Sequence, residues 1–265
     1  MIISFTKMQG LGNDYLFVFG EVPENAGEIS GRLSDRRRGA GADGMIYITP
    51  SSAADFGMRI FNSDGSEAET CGNGIRCLGK YVFDRGLTKK TRLTVETPAG
   101  IKKLDLHTEK GKVTSVSVEM GRADVSEEIE LTVHGRTVVC VPVSVGNPHA
   151  VVFTDDPDAV PLEELGREIC GNPAFPEGVN VEFVRVLPTG DVRMRVRERG
   201  SGITPACGTG ACAAVAAAVR RGYIRPGTPV SVILDGGRLT VAAREDAETV
   251  MTGPAETVYE GTVEV

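Results

Sequence analysis

The chain repeats one sequence plan in its two halves, and this repeat constrains the fold more than any other feature. Cys207 lies 136 residues after Cys71, and Met194 lies 136 residues after Met58. Each half carries a Gly-Asn pair and an apolar run, then a helical stretch, a strand, and a Cys-Gly-x-Gly sequence that opens a second helical stretch. The predicted helices are 28–38, 75–85, 162–170 and 211–221, and the predicted strands before the cysteines are 45–49 and 181–186. A plan that occurs twice predicts two similar domains.

Glycines and alternating runs after the second helix of each half complete this prediction. Gly86 and Gly222 stand where a helix is expected to end, because glycine readily adopts the left-handed conformation found there. Strand-like runs follow at 93–96 and 230–233. We therefore expect an α+β fold of two pseudo-symmetric domains, each a mostly antiparallel, barrel-like β-sheet around one central helix. The expected domains are 1–120 and 121–256, and the strand-like tail 257–265 is able to join the first.

Composition and charge exclude several classes of partner. The chain of 265 residues has a net charge of −7 and no tryptophan, which argues against a nucleic-acid partner. Its one basic cluster, 36–38, is interpreted as a solvated helix end. No apolar stretch is long enough to cross a bilayer, and the start lacks the order of a signal peptide. These features predict a cytoplasmic protein without membrane contact, whose six cysteines are reduced thiols.

A cysteine at the start of a helix has a specific chemical use. The first backbone N–H groups of a helix have no intrahelical partner, and the helix dipole adds partial positive charge there. This setting is expected to lower the pKa of Cys71 and Cys207 from about 8.5 towards neutrality. The same N–H groups are expected to hold a substrate carboxylate while charge develops on the neighbouring carbon. One thiolate and one thiol on opposite faces of that carbon would exchange its proton with inversion, without a cofactor.

Other interpretations of the cysteines are weaker. Five residues separate Cys71 from Cys77, which is a poor spacing for structural zinc. The run 74–81 resembles a phosphate-binding loop but lacks the final Ser or Thr that would hold magnesium. The remaining cysteines are expected to be structural: Cys77, Cys140, Cys170 and Cys212. A thiol redox or metal-binding protein stays open as an alternative of a different class.

A set of motifs along essentially the whole chain resembles the diaminopimelate epimerase family. The matching segments are 5–15, 59–69, 71–77, 146–149, 180–184, 198–200 and 206–211. Each alone is a weak signal, whereas the set is highly specific. The resemblance implies the diaminopimelate epimerase-like fold, with two pseudo-symmetric domains that are each a small barrel around a helix. It also implies interconversion of LL- and meso-2,6-diaminopimelate in lysine and peptidoglycan precursor biosynthesis, without pyridoxal phosphate or metal.

The resemblance also implies roles for individual residues. It implies that Cys71 and Cys207 are the catalytic acid–base pair. The residues that it implies for substrate binding are Asn13, Asn62, Gly72, Asn73, Asn147, Asn180, Glu198, Arg199, Gly208 and Thr209. Their chemistry agrees, because a guanidinium such as that of Arg199 grips a distal carboxylate in two places, and Glu198 accepts from an ammonium. The partner is then a small amino acid, and edge strands would allow a homodimer.

Three features near these motifs qualify the assignment. His149 is interpreted as structural, since two thiols already fill the acid and base roles. Asn13 and Asn147 each follow a glycine, so a turn role is the rival interpretation for both. The family usually has Glu-Thr shortly before the second catalytic cysteine, where this chain has Ile203-Thr204. The loss of that acid leaves open a related racemase of another amino acid, such as histidine or proline.

Overall fold

The computed structural model of the chain describes residues 2–68 and 71–265. Glu69 and Thr70, which belong to the motifs that precede Cys71, lie outside these ranges. The chain forms two compact units. Unit 1 combines the chain up to Val118 with Gly253–Val265, and unit 2 is Glu119–Thr252.

Strands dominate both halves of the described chain, and each half has two helices. The elements of the first half are β1 (Ile2–Gly10), β2 (Asn13–Phe19), α1 (Ala26–Ser34), β3 (Gly44–Thr49), β4 (Phe56–Asn62), β5 (Glu67–Ala68), α2 (Gly72–Asp84), β6 (Arg92–Thr97), β7 (Gly100–Glu109) and β8 (Lys112–Arg122). The elements of the second half are β9 (Asp124–Val125), β10 (Ile129–Val133), β11 (Arg136–Ser144), β12 (Pro148–Phe153), α3 (Leu162–Cys170), β13 (Asn180–Val186), β14 (Val192–Glu198), β15 (Gly202–Thr204), α4 (Gly208–Arg220), β16 (Val230–Leu234), β17 (Gly237–Ala243), β18 (Glu248–Pro254) and β19 (Glu256–Glu264).

The two units repeat one strand topology. In unit 1, β2 runs parallel to β3 with α1 between them, β4 is antiparallel to β3 and parallel to β6, and β6 and β7 form a hairpin. Unit 2 has the same relations between β12, β13, β14, β16 and β17, with α3 as the connecting helix. Further strand pairs within each unit, such as β1 with β2 and β11 with β12, are antiparallel. The α+β prediction of two similar, mostly antiparallel sheets is therefore confirmed.

One helix lies inside the sheet of each unit. Helix α2 contacts β1, β2, β7 and β19, and α4 contacts β9, β11, β12, β13, β14 and β17. Eleven consecutive residues of α4, from Gly208 to Ala218, are buried. A helix with strands on several sides has no solvent face, so it is apolar or small-sided all round, as the Ala-rich sequence of α4 is.

The ends of the helices show where local sequence signals were right and where one was wrong. Helices α2 and α4 end just before Gly86 and Gly222, whose φ values of 71° and 73° are those of left-handed helix ends. Helix α1 ends at Ser34, earlier than predicted, because the carboxylate of Asp35 accepts the next free backbone N–H groups. The cluster 36–38 is therefore not a helix end, and Arg36 instead pairs with acidic side chains.

None of the helices in the described part of the chain is long and apolar enough to span a membrane.

Candidate active site

Cys71 and Cys207 each form the N-cap of a central helix. Both have extended backbone angles, with φ and ψ of −146° and 109° for Cys71 and −128° and 115° for Cys207. Each sulfur accepts the backbone N–H three residues later, at 3.2 Å from Gly74 and 3.4 Å from Gly210. The N–H groups of the first helical turn therefore lie close to the sulfur, as the Cys-Gly-x-Gly sequence predicts. All six cysteines are thiols.

Glycine at the third place after each cysteine lets a strand side chain approach the helix start. A Cβ atom on Gly74 would lie 2.5 Å from Cδ1 of Ile46, and one on Gly210 would lie 2.6 Å from Oε1 of Glu182. Ile46 and Glu182 are each the third residue of their strands, β3 and β13. The two units thus place an apolar and an acidic side chain at equivalent positions beneath their cysteine turns.

In unit 1 the sulfur of Cys71 lies among amide and hydroxyl groups. It is 3.5 Å from Oδ1 of Asn13 and 3.5 Å from the phenolic oxygen of Tyr15. Oδ1 of Asn13 also accepts from Nδ2 of Asn73 at 3.3 Å. Burial, with the adjacent Cys71, raises the pKa of Tyr15 well above its ordinary value, so this hydroxyl stays a hydrogen-bond donor. Three predicted residues meet here, and Tyr15 was missed although it follows a Gly-Asn pair just as His149 does.

Asp43 fixes the orientation of the Asn13 amide. Oδ2 of Asp43 accepts from Nδ2 of Asn13 at 2.7 Å and from the backbone N–H of Asp14 at 3.0 Å. Arg36 holds both carboxylates, at 2.6 Å from Asp14 and 2.9 Å from Asp43. Because Nδ2 is engaged in this way, Oδ1 of Asn13 points to Cys71. Asp43 was not predicted from the sequence; the signal was its place directly before β3, which pairs in parallel with the strand that begins at Asn13.

Asn62 has a different environment from the other predicted residues of unit 1. It is the last residue of β4 and begins a turn in which its backbone N–H donates to the carbonyl of Ser66 at 2.8 Å. Its side-chain Nδ2 donates to Oγ of the same serine at 3.0 Å. In the structure Asn62 therefore shapes this turn, and its substrate contact stays a prediction.

In unit 2 the predicted residues around Cys207 form a hydrogen-bonded group. Oγ1 of Thr209 lies 3.5 Å from the sulfur and accepts from Nδ2 of Asn147 at 3.4 Å. Glu198 lies at the end of β14, where Thr204 donates to its Oε1 at 2.5 Å. Burial raises the pKa of the Glu198 carboxyl above its ordinary value, and the hydrogen bond from Thr204 acts in the opposite direction. Both Cys207 and Thr209 are buried.

The expected lowering of the Cys207 pKa is wrong for this structure. Burial raises the pKa of the Cys207 thiol well above its ordinary value, and the negative charges of Glu198 and Glu182 raise it further. The hydrogen bonds from Thr209 and from the backbone N–H of Gly210 act in the opposite direction and are weaker. Desolvation and the like charges therefore raise the pKa more than the N–H groups at the helix start lower it, and Cys207 is a protonated thiol at neutral pH.

Asn180 and Arg199 meet through the backbone. Oδ1 of Asn180 accepts from the backbone N–H of Arg199 at 2.8 Å. The Arg199 side chain is exposed, packs beside Gly178, and donates from Nη1 to the carbonyl of Glu177 at 3.1 Å. Its guanidinium is accordingly accessible to a carboxylate ligand. Ile203, the residue in place of the usual acid, is 44% exposed.

A buried ionisable pair, His149 and Glu182, lies beside the hydrogen-bonded group around Cys207. The sequence analysis did not predict that these two residues pair. Nδ1 of His149 is 2.7 Å from Oε1 of Glu182, and both side chains are 0% exposed. Nε2 of His149 is 3.0 Å from Oδ1 of Asn147. A signal for Glu182 was an acid in the middle of an otherwise apolar strand run, Val181 to Val184.

A protein-family model and full-length relatives align with nearly the whole chain. The family model described as "Diaminopimelate epimerase" matches residues 5–126 and 141–258. A diaminopimelate epimerase of Methanococcus maripaludis is 47% identical over 281 residues, which cover 99% of this chain and 100% of the relative. A diaminopimelate epimerase of Parabacteroides distasonis is 48% identical over 267 residues, which cover 99% of this chain and 98% of the relative.

Solved structures of lower identity share the fold. A phenazine biosynthesis protein of the PhzF family from Bacillus anthracis superposes with a TM-score of 0.81 at 18% identity, over 100% of both chains. A hydroxyproline epimerase from Agrobacterium vitis gives a TM-score of 0.77 at 21% identity, over 99% of this chain and 91% of its own. These likenesses concern the fold alone. The family model and the relatives of nearly equal length confirm what the motifs predicted, and the chain belongs to the diaminopimelate epimerase family.

Proposed function

We propose that the protein is an isomerase that interconverts LL-2,6-diaminopimelate and meso-2,6-diaminopimelate without a cofactor. The observation that carries this proposal is a cysteine-capped helix in each unit of a chain that belongs to the diaminopimelate epimerase family. The named relatives match over nearly their full length, which supports the same place in metabolism. That place is the supply of meso-diaminopimelate for lysine and for peptidoglycan precursors.

In the proposed mechanism, two cysteines act as base and acid on one stereocentre. A cysteine thiolate takes the α-proton, and the other cysteine, as a thiol, delivers a proton to the opposite face of the same carbon. The raised pKa of Cys207 suits the donor half of the first turnover. After one turnover the two sulfurs have exchanged their protonation states, so the reverse reaction begins from the opposite arrangement.

The remaining predicted residues are proposed to bind and orient the substrate. The backbone N–H groups of Gly72, Asn73, Gly208 and Thr209, in the first turns of α2 and α4, suit the carboxylate next to the reacting carbon. These donors stabilise the negative charge that grows on that carboxylate as the proton leaves. The exposed guanidinium of Arg199 suits the distal carboxylate, and Glu198 suits an ammonium group. Asn13, Asn62, Asn147 and Asn180 complete the proposed contacts.

Epimerisation of LL-diaminopimelate in heavy water tests the proposal. We expect deuterium to enter only the α position while the LL isomer converts to the meso isomer. Cys71→Ala and Cys207→Ala are each expected to lower the epimerisation rate by at least about 100-fold, because each removes one proton-transfer group. Cys170→Ala is the matched control, since this thiol ends α3 and has no role in the mechanism. Normal epimerisation by the double Cys71/Cys207 variant would refute the mechanism.

A related racemase of another amino acid is the second candidate. The observation that favours it is Ile203, an exposed apolar residue where the family usually has an acid. Turnover measured on diaminopimelate, histidine and proline separates the two candidates. We expect diaminopimelate to be preferred, and Ile203→Glu to change KM more than kcat if this residue lies near the distal end of the substrate.

A cytoplasmic location and a homodimer are part of the same proposal. Two catalytic thiols need a reducing compartment, which supports the cytoplasm. Sedimentation of the purified enzyme measures the mass of the assembly. A mass equal to one chain at micromolar concentration would refute the proposed homodimer.

A further inference from the structure

A continuous chain of hydrogen bonds runs from a buried carboxyl group to the sulfur of Cys207. Oε1 of Glu182 lies 2.7 Å from Nδ1 of His149, whose Nε2 lies 3.0 Å from Oδ1 of Asn147. Nδ2 of Asn147 donates to Oγ1 of Thr209 at 3.4 Å, and this oxygen lies 3.5 Å from the Cys207 sulfur. The proposed mechanism uses the last three residues. It gives no role to Glu182 or His149.

The scaffold itself does not require the buried pair. In unit 1, Ile46 occupies the place of Glu182, as the third residue of the equivalent strand and against the equivalent glycine. Tyr15 occupies the place of His149, two residues after a Gly-Asn pair. Unit 1 therefore builds the same cysteine turn without a carboxyl group or an imidazole beneath it. Because burying an ion pair seldom adds stability over an apolar pair, the His149–Glu182 pair calls for a functional reason.

The directions of the hydrogen bonds determine where the protons are. Oδ1 of Asn147 is an acceptor, so Nε2 of His149 carries a hydrogen. Nδ1 of His149 and Oε1 of Glu182 are 2.7 Å apart and share one further proton, whichever atom holds it. Oε2 of Glu182 is buried without a hydrogen-bond partner among the described residues. Since a buried, unpaired carboxylate oxygen is costly, a pair that is neutral overall fits this position.

We propose that Glu182 is a positioning residue for the reaction: by sharing one proton with His149, it keeps Nε2–H donating to Asn147 and so turns the amide N–H of Asn147 towards Thr209. Thr209 then accepts from Asn147, and its own hydroxyl hydrogen is available to the sulfur of Cys207. Without Glu182, the imidazole loses the partner that orients it, and the amide of Asn147 is free to rotate by half a turn. The rotated amide would accept the Thr209 hydrogen and remove that donor from the sulfur.

Two substitutions separate hydrogen bonding from charge and from space filling. Glu182→Gln keeps the shape, and its amide donates to Nδ1, so kcat is expected to stay within about threefold of the wild type. Glu182→Ile fills the place as Ile46 does in unit 1 but cannot bond to the imidazole. We expect it to lower kcat by about 10- to 100-fold, the usual effect of losing a residue that orients an active-site group. Ile46→Leu is the matched control for a change of packing beneath a cysteine turn.

Nitrogen NMR gives a readout that does not need activity. The chain has three histidines, so ¹⁵N-labelled histidine gives an assignable spectrum. In the wild type and in Glu182→Gln, the spectrum is expected to show a hydrogen on Nε2 of His149, because Oδ1 of Asn147 lies 3.0 Å away and can only accept.

Each outcome of these experiments decides the inference. An unprotonated Nε2 in the wild type would overturn it. Equal loss of kcat in both Glu182 variants would assign the effect to charge, and unchanged kcat in both would assign a structural role only; either result refutes the positioning role. The inference rests on the proposed function of Cys207. A protein that shows the expected NMR spectrum but no epimerisation would refute that function and leave the hydrogen-bond chain intact.

Discussion

Cys71 and Cys207 cap equivalent helices, yet the residues around them differ. Neutral groups of Asn13 and Tyr15 approach the first sulfur, whereas Glu198 adjoins the second. In the proposed mechanism, one cysteine gives up a proton as a thiol and the other takes one as a thiolate, and the two exchange these roles after each turnover. Burial and the nearby carboxyl groups make the protonated thiol the resting form of Cys207. In the turnover where Cys207 acts as the base, substrate binding has to offset this preference for the thiol.

The raised pKa of Cys207 predicts a loss of stability in alkaline solution. An unfolded thiol has a pKa of about 8.5, and the folded value lies higher, so the unfolded state releases its proton first. The contribution of the protonated Cys207 thiol to the free energy of unfolding is complete below about pH 8.5. It is lost as the pH rises towards the folded pKa, by up to about 1.4 kcal/mol per pH unit. Urea unfolding of the wild type and of Cys207→Ser between pH 7 and 10 measures this loss, and we expect the wild type to lose stability more steeply.

Other buried thiols do not confuse this comparison. Burial raises the pKa of Cys77 to about 12 and that of Cys140 to about 11, and both thiols are present in both proteins. Parallel stability curves for the wild type and Cys207→Ser would show that Cys207 ionises as easily in the folded protein as in the unfolded one.

At the level of helices and strands, local sequence signals predicted most of the fold. The four helices and the strands before each cysteine occur where the repeated sequence plan predicts them. Gly86 and Gly222 correctly marked the ends of α2 and α4, because a glycine signal acts within a few residues. The early end of α1 depends on Asp35 bonding its own neighbours, a competition that composition does not reveal. Asp43 and Glu182 were missed for another reason. Their roles arise from strand register and from contacts between residues distant in sequence, which pattern alone does not encode.

The glycine that follows α4 provides a test of how the central helix ends. Gly222 has a φ of 73° and open space where a Cβ atom would lie, so only backbone strain opposes a side chain there. Gly222→Ala is expected to cost about 1 kcal/mol of folding free energy, measured by urea unfolding. Gly171→Ala is the matched control, because this glycine caps α3 with a φ of −91° that alanine adopts easily. An equal cost in both variants would contradict the backbone explanation.

At the scale of the whole chain, the C-terminal strand belongs with the N-terminal residues. β19 pairs antiparallel with β1 from Ile2↔Glu264 to Gln9↔Glu256. Tyr259 packs edge-on against Phe5 with ring centroids 5.9 Å apart. Nε of Arg76, in the helix that Cys71 caps, donates to the carbonyl of Pro254 at 3.1 Å. Unit 1 is therefore complete only when residues from both ends of the chain are present.

Removal of residues 256–265 tests this dependence. The deletion leaves β1 without its β19 partner and uncovers Phe5, so unit 1 is expected to lose most of its protection in hydrogen-exchange mass spectrometry. Peptides from residues 119–252 are expected to keep theirs, since unit 2 is continuous in sequence. Val258→Thr is the control, because this side chain is 52% exposed. Full protection of unit 1 in the shortened chain would contradict the prediction.

The return of the last strand to the first reverses the usual order of events during synthesis on the ribosome. Domains generally fold in the order in which they emerge, the N-terminal one first. Here residues 1–118 lack the strand that completes unit 1 until residues 253–265 have been synthesised, and these residues follow the whole of the continuous second unit in the sequence. The first half of each nascent molecule, with the thiol of Cys71, must therefore remain incomplete while the second unit is synthesised, and during that interval chaperones and oxidants have access to it.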